Sequence, residues 1–197
     1  MAGERTSRVP LRTAADTEGE VQRVLGKLEA RGNDLGIVRA VANSPNGFRP
    51  FVLMGDALLA KGSLPARTRE LVVLGLAAEG RNAYEWTEHR PVAERAGVTP
   101  EECAALRAGG LHAEIPTLSD DERLALAAAA ELHAGATSDA TFERMVAEWG
   151  RETAVELVFC VAWWGAFVPT IIEGLGLSEA VADGTSGPTV YEQAGTA

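Results

Sequence analysis

The chain has 197 residues, a net charge of −10 and a pI near 4.8. Hydrophobic residues make up 46% of the chain and charged residues 23%, an ordinary composition for a globular protein with a buried core. The acidic balance disfavours nucleic acid and anionic membranes as partners, because both are bound through clustered Lys and Arg.

The sequence favours a reduced, cytoplasmic location. Cys103 and Cys160 lie far apart and form no CxxC pair, so neither a disulfide framework nor a zinc site is predicted. The segment that begins at Met1 lacks the apolar core of a signal peptide. The longest uncharged run, residues 157–172, is short for a membrane span and is predicted to be a buried helix.

Helical periodicity predicts an all-α fold. An N-terminal arm (1–15) precedes a single helical domain (16–177), and the small and polar residues of 178–197 predict a disordered tail. No segment alternates polar and apolar residues over a useful length. In chain order, helices are predicted over residues 18–31, 35–42, 51–61, 63–79, 82–97, 100–107, 119–133, 138–149 and 151–173.

One of these helices is predicted to be buried on every side. Residues 71–78 are apolar around nearly the whole helical circumference. A parallel β-strand is the rival interpretation of such a run, but no other segment supplies a partner strand. The helix over 153–173 is also apolar over most of its surface. Because one small domain cannot hide both, we expect a homo-oligomer: a dimer, trimer or hexamer.

A stripe of polar residues gives the first candidate site. On a helix, Asn82, Glu85 and His89 share one face, with Glu85 and His89 one turn apart. A carboxylate next to an imidazole favours the charged ring and makes a general acid or base near neutral pH. Burial against Tyr84 and Trp86 would instead raise the Glu85 pKa, and the sequence leaves both effects open. The alternative is an exposed surface pair of little energetic weight.

Three stretches around this stripe carry a resemblance to a known family. They are residues 64–74 (LPARTRELVVL), 84–89 (YEWTEH) and 93–102 (AERAGVTPEE). In this order they resemble the carboxymuconolactone decarboxylase and AhpD-like superfamily, and the looser match covers nearly the whole chain. The resemblance implies an AhpD-like multi-helix bundle that forms obligate oligomers, commonly trimers or hexamers.

The resemblance also implies which residues form the site. The redox branch of the superfamily carries CxxC, three further residues and a His, with a Glu on the preceding helix. Here those positions hold Asn82, Glu85, His89 and Glu70, so neither sulfur position is a thiol. Thiol–disulfide exchange needs a thiolate, so thiol peroxidase activity is disfavoured. The proton-relay residues of that branch, Glu70 and His89, remain.

Two classes of function are therefore predicted. The first is a cofactor-independent, decarboxylase-like lyase or an isomerase that acts on a small carboxylated or lactone substrate by proton transfer. His89 would supply the proton, Glu85 would orient the ring, and Glu70 would hold the relay in register. The candidate substrate-binding residues are Asn82, Tyr84 and Trp86. The second class is a non-enzymatic oligomeric binding or scaffold protein that kept the fold.

Three further expectations concern neighbouring residues. No cofactor and no metal is expected, although Glu70, Glu85 and His89 together could hold a divalent ion as a weaker alternative. Glu88 is expected to be solvated. A cluster of aromatic residues is expected to serve the core or a subunit contact, with a pocket wall as the alternative: Trp149, Trp163, Trp164 and Phe167.

Overall fold

A computed structural model describes residues 7–33 and 35–178 of the chain. Short 3-10 turns occupy Ala14–Asp16 and Gly110–His112, and π-helical turns occupy Ala57–Lys61 and Trp163–Phe167. Within the described residues there is no β-strand, and the predicted all-α class is confirmed. The helices are α1 (Gly19–Glu29), α2 (Gly36–Val41), α3 (Pro45–Asp56), α4 (Ala66–Glu79), α5 (Ala83–Arg95), α6 (Pro100–Gly109), α7 (Asp120–His133), α8 (Asp139–Ala162) and α9 (Val168–Leu175).

Helix α3 begins earlier than predicted. The sequence predicts its start near residue 51, whereas the structure starts it at Pro45. Ser44 precedes the helix in an extended conformation, and a proline in the first turn loses no hydrogen bond because its N–H would have no partner there. A segment that looks like a helix breaker in the sequence therefore opens the helix.

The last two predicted helices meet at a kink within α8. Gly150 adopts φ +81° and ψ 167°, outside the helical region, so the helix is interrupted where the sequence predicts one helix to end and the next to begin. The stretch Asp139–Leu175 is long and apolar enough to cross a membrane by length and composition, a test that core helices of soluble proteins also pass. The predicted tail lies outside the described residues apart from Ser178, as does the beginning of the predicted arm.

The chain divides into two compact units, and the predicted domain boundaries stay a prediction. The first unit contains the described residues up to Lys61 together with those from Thr170. In it, α3 packs against α1 and α2. The arm is held by backbone hydrogen bonds from the Arg8 N–H to the Leu175 carbonyl at 2.7 Å and from the Arg12 N–H to the Arg39 carbonyl at 3.1 Å.

The second unit, Gly62–Pro169, is organised around α4. This helix packs against α5, α6, α7 and α8. Within the run 71–78 that the sequence predicts to be buried, Ala78 alone is half-buried. Every residue from 68 to 77 is buried. Each large apolar side chain in this stretch contributes about 1.5–3 kcal/mol through burial. Thr68, Arg69 and Glu70 are buried in the same stretch, and burial of such groups is costly unless they are paired.

Candidate active site

The site is built on the hairpin of α4 and α5. Gly80 and Arg81 turn the chain, and Arg81 adopts φ +50°, which few residues other than glycine do. The Asn82 side chain then begins α5, because its Oδ1 accepts a hydrogen bond from the Glu85 N–H at 3.1 Å. The predicted contact of Asn82 with substrate stays a prediction, since in this structure its oxygen serves the helix start.

The hairpin brings the three predicted catalytic side chains together. His89 Nδ1 lies 2.9 Å from Oε2 of Glu70 on α4. On the other edge of the ring, Nε2 lies 3.4 Å from Oε2 of Glu85, one turn earlier on α5. The imidazole is thus held between two carboxylates. Spacing along the chain could not require the approach of Glu70; the packing of α4 against α5 produces it.

These side chains are shielded from solvent to different degrees. The Glu70 side chain is fully buried, that of Glu85 is 4% exposed, and that of His89 is 12% exposed. The Glu85 Oε2 atom has no hydrogen-bond partner within the described part of the chain. His89 is therefore the member that a molecule arriving from outside meets first, and Glu85 is the incompletely satisfied member.

Burial and charge act against each other on the pKa values here. Burial raises the pKa of Glu85 to about 7; His89 opposes this rise, whereas Glu88 and Glu70 add to it. Burial also disfavours ionised Glu70, but the positive charges of His89 and Arg69 outweigh it and lower the Glu70 pKa. Burial disfavours charged His89, but the surrounding carboxylates outweigh it and raise the His89 pKa. Both effects that the sequence left open are present.

Sequence reasoning did not place Arg69 or Glu88 at this site, and it gave Trp164 a place at a pocket wall only as an alternative. Arg69 Nε donates to Glu70 Oε1 at 3.0 Å, and Arg69 is only 8% exposed. Trp164 meets the His89 ring edge-on, with ring centroids 5.6 Å apart and planes at 84°. The expectation that Glu88 is solvated is wrong, since it is 4% exposed. Its position one turn after the buried Tyr84 was the signal that could have revealed it.

The two aromatic residues predicted to wall the pocket lie in different surroundings. Tyr84 is 2% exposed, while the Trp86 ring carries the Arg107 guanidinium 4.6 Å above its centroid. Two surface cavities, of about 430 and 520 Å³, lie beside the Gly110–His112 turn. Neither cavity is lined by the three catalytic candidates or by these two aromatic residues, so the pocket roles of Tyr84 and Trp86 stay predictions.

The arrangement of the carboxylates does not favour the metal alternative. Glu70 and Glu85 face opposite edges of the His89 ring, so their oxygens do not converge on one point. The described residues contain no group of three His, Cys, Asp or Glu side chains that could hold a metal ion. The geometry suits movement of a proton across the ring better than shared ligation of an ion.

Comparison with known proteins identifies a family that part of the chain resembles. Residues 45–131 match the profile of the carboxymuconolactone decarboxylase family, a segment that includes α4 and α5. No curated protein sequence matches the chain. The fold is that of an AhpD core, an uncharacterized peroxidase-related protein from Ralstonia eutropha JMP134, which is 21% identical with a TM-score of 0.73. That match covers 91% of this chain and 96% of the other.

Over residues 45–131 the chain is similar to the carboxymuconolactone decarboxylase family, and its fold is AhpD-like. An uncharacterized peroxidase-related protein from Silicibacter sp. TM1040 has the same fold, with 14% identity and a TM-score of 0.74 over 90% of this chain and 94% of the other. The predicted resemblance and the AhpD-like helical fold are confirmed. Because both structures are distant in sequence, they establish the fold and not the reaction.

The two cysteines of this chain are not arranged for thiol chemistry. Cys103 and Cys160 are both free and buried. Burial raises the pKa of each thiol, and the Glu70 charge raises that of Cys160 further. A thiol with a raised pKa forms little of the thiolate that attacks a disulfide or a peroxide. The prediction that disfavours thiol peroxidase activity therefore gains a second reason besides the missing motif cysteines.

Proposed function

We propose that the protein is a cofactor-independent lyase or isomerase that acts on a small carboxylated or lactone substrate by proton transfer through His89. The observation that carries the proposal is the 3.4 Å contact between His89 Nε2 and Glu85 Oε2, with Nδ1 held by Glu70. The proposal includes a cytoplasmic location, with neither a membrane nor nucleic acid as partner.

The contact supports proton transfer because Glu85 changes charge near neutral pH beside the ring. Burial raises the pKa of Glu85 to about 7, and around His89 the carboxylates outweigh burial and raise the pKa of the ring. A group whose pKa lies near the working pH can act as both acid and base. Glu70 keeps a proton on Nδ1, so Nε2 is the atom that exchanges.

The chemistry follows from this arrangement. Decarboxylation of a β-keto or vinylogous acid breaks a C–C bond and leaves an enolate, to which the protonated Nε2 of His89 would deliver its proton. The neutral Glu85 carboxyl would then return a proton to Nε2. In an isomerisation, Nε2 would first take a proton from carbon and then return it to another position. Neither route needs sulfur or a redox partner.

Turnover of candidate substrates tests the proposal. Lactone acids and aromatic or polyketide-type keto acids would be screened by ultraviolet absorbance and by release of CO₂. For any substrate that is turned over, His89→Ala should lower kcat at least about 100-fold while circular dichroism shows an unchanged fold. The matched control is Arg90→Ala, whose side chain lies on the same helix and is mostly exposed.

Two outcomes would contradict the proposal. Full activity of His89→Ala on a confirmed substrate would end the acid–base assignment. Absence of turnover across the panel would favour the alternative, a non-enzymatic oligomeric binding or scaffold protein. That alternative draws support from the two described cavities, neither of which is lined by the catalytic candidates. The near-complete burial of Glu70 and Glu85 together with His89 favours the enzyme instead.

We also propose that the chain forms a homo-oligomer through an apolar stripe on the second unit. Three of its side chains are 40–50% exposed: Val155, Phe159 and Phe167. Together with Trp163 they occupy every fourth position from 155 to 167. An evenly spaced stripe is self-complementary when two copies of a helix cross about a two-fold axis. Light scattering should give a multiple of 20.7 kDa, and Phe159→Asp should reduce it; a 20.7 kDa particle for the unmodified chain would refute the proposal.

A further inference from the structure

One buried contact takes no part in the proton path described above. We propose that Arg69 is a positioning residue that sets how tightly His89 holds its proton, acting through Glu70. The inference deepens the proposed function, because it concerns the same imidazole, and rests on His89 as the proton carrier. It can be tested by measuring the pKa of His89, which needs no substrate.

The Glu70 carboxylate is shared by two partners, Arg69 and His89. Adjacent residues on a helix normally point to different faces, yet Arg69 Nε reaches Glu70 Oε1 at 3.0 Å. The other oxygen of Glu70 lies 2.9 Å from His89 Nδ1. Arg69 and Glu70 are both buried, so solvent screens these contacts little. One carboxylate therefore serves two cationic partners, and each oxygen is committed to one of them.

This sharing changes how strongly Glu70 stabilises the protonated His89 ring. Because Arg69 compensates part of the Glu70 charge, His89 feels less of it. Without Arg69 the uncompensated carboxylate would stabilise the imidazolium more strongly, and His89 would release its proton less readily. An acid that holds its proton too tightly is a poor donor near neutral pH. Arg69 would thus keep the proton mobile.

Other charged and aromatic groups also face His89. On its own helix, Glu85 and Glu88 both favour the charged ring. From the π-helical turn, Trp164 contributes an uncharged ring edge. Helix α4 contributes Glu70 and, behind it, Arg69. Since every carboxylate in this set favours the imidazolium, the cation on Glu70 acts in the opposite direction.

Nuclear magnetic resonance titration of the His89 ring in ¹⁵N-labelled protein tests the inference without a substrate. We expect Arg69→Gln to raise the pKa of His89 by about 0.5–1, because the Glu70 charge is no longer shared. Arg69→Lys keeps the charge but not the planar donor, so we expect a rise of less than half that size. In the unmodified protein, neutral His89 should carry its proton on Nδ1.

A purely structural role predicts the opposite direction. If Arg69 only filled space, its replacement would loosen the site, admit water and return the His89 pKa downward toward its ordinary value. A fall or no change in Arg69→Gln would overturn the inference. If that variant does not fold, a fall of the His89 pKa in Arg69→Lys would overturn it, as would a proton on Nε2 in the neutral ring of the unmodified protein.

Two controls separate a relayed effect from a general charge effect. Arg90→Gln removes an exposed arginine next to His89 that pairs with Glu94 at 3.0 Å, and should move the His89 pKa by less than about 0.2. In a Glu70→Gln background, Arg69→Gln should no longer raise the His89 pKa. If no substrate is found but the pKa rises as expected, the inference about Arg69 stands and the proposed reaction fails alone.

Discussion

Two arginine–carboxylate networks begin in the first turn of α4, two residues apart, and differ in how completely they are satisfied. In the first network, Arg67 binds both oxygens of Glu102 at 2.8 and 2.9 Å and one oxygen of Glu122 at 2.7 Å. Glu102 also accepts from Thr117, and both glutamates close the capping boxes that begin α6 and α7. Every carboxylate oxygen has a donor, and the pKa of Glu102 is lowered to about 2, chiefly by the Arg67 hydrogen bonds.

The second network leaves one oxygen without a donor. Arg69 and His89 bind the two oxygens of Glu70, whereas Glu85 Oε2 has no hydrogen bond among the described residues. The pKa of Glu85 is therefore raised to about 7 by burial. A fully satisfied network keeps one charge state and fixes helices in place, while an incompletely satisfied one changes charge near neutral pH. The comparison teaches that hydrogen-bond satisfaction, rather than burial, separates the glutamates that keep one charge state from the one that changes charge near neutral pH.

The largest expected effect is on stability through the first network. Arg67→Met should lower the free energy of unfolding by about 3 kcal/mol, because it leaves the buried Glu102 without its main cation. Urea denaturation at pH 7 measures the change. Arg90→Met, which removes an exposed pair, should cost less than about 0.5 kcal/mol. Equal losses in the two variants would remove the basis for calling the Arg67 network structural.

The next largest effect is on catalysis through the second network. With a confirmed substrate, Glu85→Gln should lower kcat about 100-fold, because the amide can neither donate nor accept a transferable proton. The pH dependence of kcat should lose its inflection near pH 7. Glu94→Gln, on the exposed part of the same helix, is the control. A variant that retains the inflection would show that another group titrates there.

A smaller effect is expected on how the free energy of unfolding depends on pH, and its direction is opposite for Glu85 and Glu102. Because the folded-state pKa of Glu85 is raised, its contribution to stability is present below about pH 4.5 and is lost as pH rises through about 7. Glu85→Gln should therefore be more stable than the unmodified chain at pH 8, by about 1–2 kcal/mol, and by much less at pH 5. Thermal unfolding at both pH values measures this, and a difference that does not change with pH would contradict it.

The smallest effect sharpens the role of the satisfied carboxylate. Thr117 Oγ donates to Glu102 Oε1 at 2.6 Å, and Thr117→Val should cost about 1 kcal/mol at pH 7. The pKa of Glu102 is lowered in the folded state, so its contribution is present above about pH 4.5 and is lost as pH falls toward 2. The cost of Thr117→Val should shrink over the same acidic range. A cost that is constant from pH 7 to 2 would show that the hydroxyl acts on something other than the carboxylate.

Much of the fold could be predicted from local pattern. The apolar run at residues 71–78 predicts a helix buried on all sides because its composition excludes a solvent face, and the structure buries residues 71–77 of it. The predicted helix starts near residues 100, 119 and 138 are correct, because Thr99, Ser119 and Ser138 cap these helices and capping is a contact within one turn. The predicted start of α3 is too late, since a proline such as Pro45 can end one helix or begin another.

In the candidate site too, contacts within one helix could be predicted from the sequence, and contacts between helices could not. By itself the sequence determined that Glu85 and His89 can meet, because both lie on one helix a single turn apart. Only the tertiary structure decided that Glu70 reaches the opposite edge of the ring, that Arg69 shares its charge, that Glu88 is buried and that Trp164 closes the side. Those contacts join residues on different helices or depend on which face is buried. Helix packing sets both, and no spacing along the chain encodes it.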